Sequence, residues 1–237
     1  MRPFRLLLLP ALLSAQNSSW GTEADFNSRY LWRGIAYSRG PVFQPAFWLT
    51  HRGTTVSVWS NMVLNHEPRR GRFDQLFFSL SREYELTRWR LEPTFQGYIW
   101  QGLQGDGTAR TLELSVKASH PLGPLRFVTS HTLDIASYRG SLISDAGLEG
   151  RRLFHRWQFE SSATAGWANG AFNRTYTGVD HATVNYLQFT VSATRKSTGG
   201  WYVRPHAEFV TTLSGSIRQA LGNRALANGG VAFGREF

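Results

Sequence analysis

Apolar and polar residues alternate along twelve short stretches of the chain, and the clearest runs from Arg88 to Trp100. Trp89, Leu91, Phe95 and Ile99 hold one parity there, while Arg88, Arg90, Glu92, Thr94, Gln96 and Tyr98 hold the other. Side chains leave a β-strand on opposite faces with period two, so each stretch predicts a strand with one oily and one polar face. The strands are expected at residues 20–33, 42–51, 54–64, 74–84, 88–100, 110–119, 124–135, 144–153, 156–167, 184–194, 201–213 and 228–237.

The connections alternate as well. Those after even-numbered strands are tight, such as His51-Arg52-Gly53-Thr54, Glu85-Leu86-Thr87 and Phe154-His155. Those after odd-numbered strands are long, such as Gly34 to Pro41, Asn65 to Phe73 and Ala168 to Thr183. Short turns on one side, long loops on the other and an even strand count fit a transmembrane β-barrel, with lipid outside and polar groups inside. The expected fold class is therefore all-β, a single antiparallel transmembrane barrel following an N-terminal signal peptide. Pro93 and Pro205 fall inside expected strands, where each deletes a ladder donor and calls for a bulge or a shifted strand.

The ends of the chain carry sorting cues. Arg2 and Arg5 precede an apolar run from Leu6 to Leu13, and Leu13-Ser14-Ala15 offers a small residue at the cut. Residues 1–15 thus read as a signal peptide and 16–237 as the barrel. No segment reaches the ~18 apolar residues that a membrane helix requires. The final strand places Val231, Phe233 and Phe237 on one parity, an aromatic-ended pattern of the kind that barrel-assembly machinery reads, with Arg235 departing from it. Trp20, Trp32, Trp89, Trp100, Trp167 and Trp201 are expected near the two interfacial girdles.

Charge and chemistry narrow the function. The formal charge is +10, and losing Arg2 and Arg5 lowers it to +8. The arginines are scattered, apart from Arg69, Arg70 and Arg72, and no nucleic-acid motif accompanies them; lipopolysaccharide and outer-membrane lipids, or anions at a pore mouth, are the expected partners. Cysteine is absent, no metal-ligand spacing appears and no cofactor is expected. Ser130 and His131 are adjacent on one strand, face opposite sides and cannot cooperate in catalysis; His206 with Asp134 or Glu208 reads as a polar cluster. An enzyme is not expected.

The polar parity gives an inward set of charges. Candidate lumen residues are Arg29, Arg33, Arg90, Glu92, Glu113, Lys117, Asp134, Glu160, Arg204 and Glu208, accompanied by Glu23, Asp25, Glu83, Asp145, Glu149, Arg88, Arg126, Arg151 and His206. An Arg or Lys facing hydrocarbon at mid-depth costs ~2–4 kcal/mol, which gives the parity physical force. Two roles are open: charges that knit and fill a closed, structural or adhesive barrel, or charges that line a water-filled path for ions and small hydrophilic solutes. A soluble periplasmic β-module is the remaining alternative.

Arg29-Tyr30-Leu31-Trp32-Arg33-Gly34, followed by Gly40-Pro41-Val42-Phe43-Gln44-Pro45, resembles the TorF family of outer-membrane barrels. Val58-Trp59-Ser60-Asn61, Thr111-Leu112-Glu113-Leu114, and Asp134 leading to Tyr138-Arg139-Gly140-Ser141 look like theirs too. These matches span residues 28–142, about half of the chain. The resemblance implies an outer-membrane barrel with a porin role, in which Arg33, Glu113 and Asp134 match recurrent positions.

Overall fold

The computed structural model describes residues 18–65, 71–101 and 108–237. The expected signal peptide, Arg69 and Arg70 lie outside the described residues. Twelve strands form one sheet: β1 (Ser18–Asn27), β2 (Val42–His51), β3 (Thr54–Val63), β4 (Phe73–Arg82), β5 (Trp89–Gln101) and β6 (Thr108–Leu122). They continue as β7 (Leu125–Asp134), β8 (Leu142–Phe154), β9 (Trp157–Ala168), β10 (Thr183–Lys196), β11 (Trp201–Thr212) and β12 (Ala225–Glu236). β4 resumes after Glu83 as Tyr84–Leu86. Each strand pairs antiparallel with its chain neighbours, and β1 pairs with β12, so the sheet closes on itself. At that seam Phe237 N donates to Trp20 O at 2.8 Å, and the two rings stack with centroids 3.8 Å apart.

The apolar parity faces outward. Phe47, Val58, Leu80, Val116, Val191 and Phe233 are each at least two-fifths exposed. A shell of this kind needs hydrocarbon around it, since it buries nothing within the chain. Trp20, Trp89, Trp167 and Trp201 share this outward parity near strand ends. Trp32 and Trp100 do not join a girdle. Trp100 is 7% exposed and turns inward to stack on Tyr138, and Trp32 has left the wall altogether.

Prolines are accommodated without bulges. Ser81 pairs with Thr94 and Tyr84 with Leu91, but the ladder skips Arg82 and Glu83 opposite Pro93. Similarly, Ser192 pairs with His206 and Arg195 with Val203, and the two pairs between them, including Pro205, are missing. Pro45 repeats the solution between β2 and β3, where pairing passes from Phe43–Met62 to Ala46–Trp59. Each proline keeps its register on both sides and leaves a local gap toward one neighbour, where its absent N–H would have donated. The bulges lie elsewhere, at Asp74 on β4 and Asn185 on β10, and both residues are buried. A bulge re-aims a side chain, and here it turns two polar groups inward.

Candidate functional site

The largest departure from the expected strands is at residues 30–33. β1 ends at Asn27, and the chain then turns into the lumen as a hairpin, Tyr30–Trp32 paired with Ile35–Ser38. Its two-residue turn is Arg33-Gly34, with φ of 51° and 81°, the doubly positive geometry of a type I′ turn. Asn228 holds the base: Arg29 N donates to its Oδ1 at 3.2 Å and Ser28 Oγ at 3.0 Å.

The hairpin crosses the barrel. On one side Tyr30 meets Trp59 of β3 at 5.3 Å and Trp32 meets Tyr98 of β5 at 6.0 Å. On the other, Leu31 enters an apolar cluster with Ile143, Phe172, Tyr186, Val210 and Leu226 from β8, β10, β11, β12 and a helix. That helix, α1 (Gly170–Thr177), occupies the connection after β9. Asn169 caps it, its Oδ1 accepting from Phe172 N at 2.9 Å, and the bulged Asn185 donates to Asn173 Oδ1 at 2.7 Å. A second helix, α2 (Gly215–Leu221), buries Ile217 in the connection after β11. Burial pushes the Tyr176 phenol of α1 well above its ordinary value, so it stays neutral against Trp32.

Arg33 closes the crossing. Its Nη1 and Nη2 donate to Glu113 Oε1 and Oε2 at 2.8 and 2.7 Å, and Gln96 Nε2 also donates to Oε2 at 2.6 Å. The guanidinium lies 4.3 Å from the Trp32 ring centre. The carboxylate is 3% exposed and the guanidinium 12%, so both charges are withdrawn from bulk water and each is the other's counter-ion.

Polar networks steady the wall around the hairpin. Asn228, Asn27, Gln44, Asn61 and Asp74 hand hydrogen bonds along at 2.6–3.1 Å, running from β12 across the seam to β4. Asp134 is 1% exposed; it accepts from Thr111 Oγ1 at 2.6 Å and from the backbone N–H groups of Ala136 and Tyr138. Its carboxylate therefore shapes the Tyr138–Ser141 turn. The segments that carry the TorF-family resemblance meet here: hairpin, Glu113 seat, Asn61 relay and Asp134 turn form one assembly.

The other half of the lumen is open and charged. Arg204 bonds Glu23 at 2.7 Å, His206 bonds Asp25 at 2.9 Å and Arg151 bonds Glu160 at 2.7 Å. Lys117 lies 3.5 Å from Glu149, and Arg90 reaches Glu83 and Glu85 at 3.3 and 3.2 Å. His206 is thus partnered by Asp25 rather than by Asp134 or Glu208. Glu92 faces Lys117 across the β5–β6 ladder and Glu208 faces Asn228 across β11–β12. Arg88 lies in an exposed short turn, and Arg29 Nε is buried without a partner among the described residues. Ser130 turns inward to Asp145, whereas His131 bonds Ser144, its outward cross-strand partner.

A cavity of about 460 Å³ opens at the short-turn mouth, lined by Arg126, Glu149, Arg151, Glu160, Ser162 and Thr190. A second, of about 250 Å³, continues from Glu149 to Lys117, Asp145 and Tyr186. Tyr186 is where the hairpin arrives, since a Cβ built on Gly34 would lie 2.6 Å from its ring. A polar path therefore runs from the short-turn mouth to the underside of the hairpin.

No family model matches the chain, and no curated protein matches it. Solved structures do. The NanC porin superposes with a TM-score of 0.53 at 12% identity over 91% of this chain and 97% of its own. The KdgM porin, solved in complex with disordered oligogalacturonate, superposes with a TM-score of 0.51 at 9% identity over 92% and 99%. At that identity the likeness is one of fold: this chain is a closed twelve-stranded barrel built as outer-membrane porins are.

Proposed function

We propose that the protein is an outer-membrane porin of TorF type, passing ions or small hydrophilic solutes passively through its lumen. The observation that carries this reading is the charged, partly exposed path that ends beneath the hairpin. Closed barrels fill their interior with side chains, whereas this one leaves hydroxyls and ion pairs facing space. The hairpin makes the narrow passage, and Arg33–Glu113 sets its position. The exposed Arg39, Arg72, Arg110, Arg139 and Arg224 near the long connections would raise anion concentration at the outer mouth and give a tendency toward anions that weakens with salt. Phe237, stacked at the seam, is the residue proposed to be read by the barrel-assembly machinery. An oligogalacturonate, as bound by the KdgM porin, is one solute worth including in a test.

Planar-bilayer recording tests the reading. Discrete conductance steps with a measurable reversal potential in a salt gradient are expected. Silence across repeated insertions would favour a second reading, a closed barrel, which the apolar cluster around Leu31 supports.

A further inference from the structure

Among the described residues five strand arginines take the outward parity; Arg110 on β6 lies at the long-connection end, and four lie at the short-turn end: Arg82 on β4, Arg152 on β8, Arg195 on β10 and Arg235 on β12. Three are followed two residues later by an outward aromatic, as Arg82-Glu83-Tyr84, Arg152-Leu153-Phe154 and Arg235-Glu236-Phe237. Arg195 has its aromatic across the ladder, since it pairs in register with Trp157. The guanidinium of Arg82 lies 5.4 Å from the Tyr84 ring centre, Arg195 5.8 Å from Trp157, and Arg235 5.2 and 4.1 Å from Trp201 and Phe237.

Among the described residues none of these four meets a carboxylate. The rim's acids are committed to the lumen side instead: Glu83 and Glu85 to Arg90, Glu160 to Arg151, and Glu236 to Lys196. Charge is thereby sorted, with ion pairs inside and guanidiniums without a carboxylate outside, although Arg235 Nε also donates to Gly199 O at 3.1 Å. Such arginines are costly at the bilayer midplane and nearly free at the interface, so each sits just past the apolar run of its strand. For Arg82, Arg195 and Arg235, cation–π contact through the guanidinium face steadies the group and leaves terminal N–H groups at its edge for an oxygen acceptor at headgroup height.

We infer that this ring binds the phosphodiester headgroups of anionic phospholipids in the inner leaflet of the outer membrane. The short turns of such barrels face the periplasm, which places the ring in the phospholipid leaflet. The inference rests on the barrel's being embedded in the outer membrane and does not depend on conduction.

Native mass spectrometry of the full chain, released from nanodiscs of equal phosphatidylglycerol and phosphatidylcholine, tests it. The unmodified protein should retain phosphatidylglycerol preferentially. Substituting Arg82→Gln, Arg152→Gln, Arg195→Gln and Arg235→Gln together should abolish the preference, with about a fivefold loss per arginine. Arg110→Gln, Arg139→Gln and Arg224→Gln, at the opposite rim, should leave it intact. Equal retention of both lipids by the unmodified protein would overturn the inference, as would a preference that survives the fourfold change or falls equally with the opposite-rim set. Heat-modifiable gel migration reports folding; should the fourfold variant fail it, Arg152→Gln and Arg195→Gln singly carry the same readout. A barrel that conducts nothing yet keeps the lipid preference would remove the porin reading and leave this site standing.

Discussion

The two ends of the lumen use the same residue types under opposite conditions. At the long-connection end one ion pair, Arg33–Glu113, is almost fully withdrawn from water and holds a hairpin against an apolar cluster. At the short-turn end Arg90–Glu83, Lys117–Glu149 and Arg151–Glu160 are one-third to two-thirds exposed and hold nothing across the barrel. A salt bridge fixes position where its partners have no alternative in water, and only tunes local potential where they do. One end is thus mechanical and the other electrostatic.

Removing the mechanical element should give the largest effect. Replacing Arg29–Arg39 by a short Gly-Ser link should raise single-channel conductance several-fold while heat-modifiable migration persists. The wall keeps its own ladders without the hairpin, because β1 pairs β2 and β12 independently of it. Unchanged conductance would place the narrow passage elsewhere.

Breaking the pair from one side comes next. Glu113→Ala strands a buried guanidinium, a loss of about 3–5 kcal/mol in such settings. The hairpin should undock, read as faster amide exchange at Leu31 and Trp32 and noisier, larger current. Combining Arg33→Met with Glu113→Leu should restore protection, since an apolar pair of similar volume suits a seat already lined by Trp32 and Phe172. Should the double change behave like the single one, the charges would be needed for more than docking.

A smaller effect is expected at the turn. Gly34 has φ of +81°, and a Cβ there would lie 2.6 Å from Tyr186 Cδ1. Gly34→Val combines backbone strain of ~1–3 kcal/mol with that clash and should loosen the tip while the base stays held by Asn228. Exchange at Arg33 should quicken more than at Tyr30; equal change at both would argue against a tip-first opening.

The wall was legible in the chain and the hairpin was not, for a reason visible in one dipeptide. Arg52-Gly53 and Arg33-Gly34 have nearly the same doubly positive φ values. The first falls between two clear alternating runs and reads as a turn. The second lies where Tyr30 and Trp32 continue the apolar parity of Trp20 and Phe26, with Arg29 and Arg33 on the polar parity, so period two alone extends the strand. Whether Trp32-Arg33-Gly34-Ile35 folds inward as a hairpin depends on Glu113, eighty residues away in sequence. The inward parity of Glu23, Glu92, Lys117, Glu160 and Arg204 follows from local alternation. The pairing of His206 with Asp25 depends on the β1–β12 seam, which local alternation does not encode.

The smallest expected effect belongs to the electrostatic end. Arg151 and Glu160 are 68% and 35% exposed, lie directly across the β8–β9 ladder and line the mouth cavity. An exposed pair contributes ~0–1 kcal/mol, so Glu160→Gln should leave thermal unfolding almost unchanged. It nevertheless removes a negative charge from the wall and frees Arg151 to attract anions. The reversal potential in a salt gradient should therefore move toward anion preference, most at low ionic strength, and the shift should fade as the screening length falls to ~3 Å at 1 M salt. Glu160→Arg should move it further in the same direction. A potential unmoved by either change would mean that selectivity is settled at the hairpin alone, so that the mechanical end decides the charge preference as well as the width.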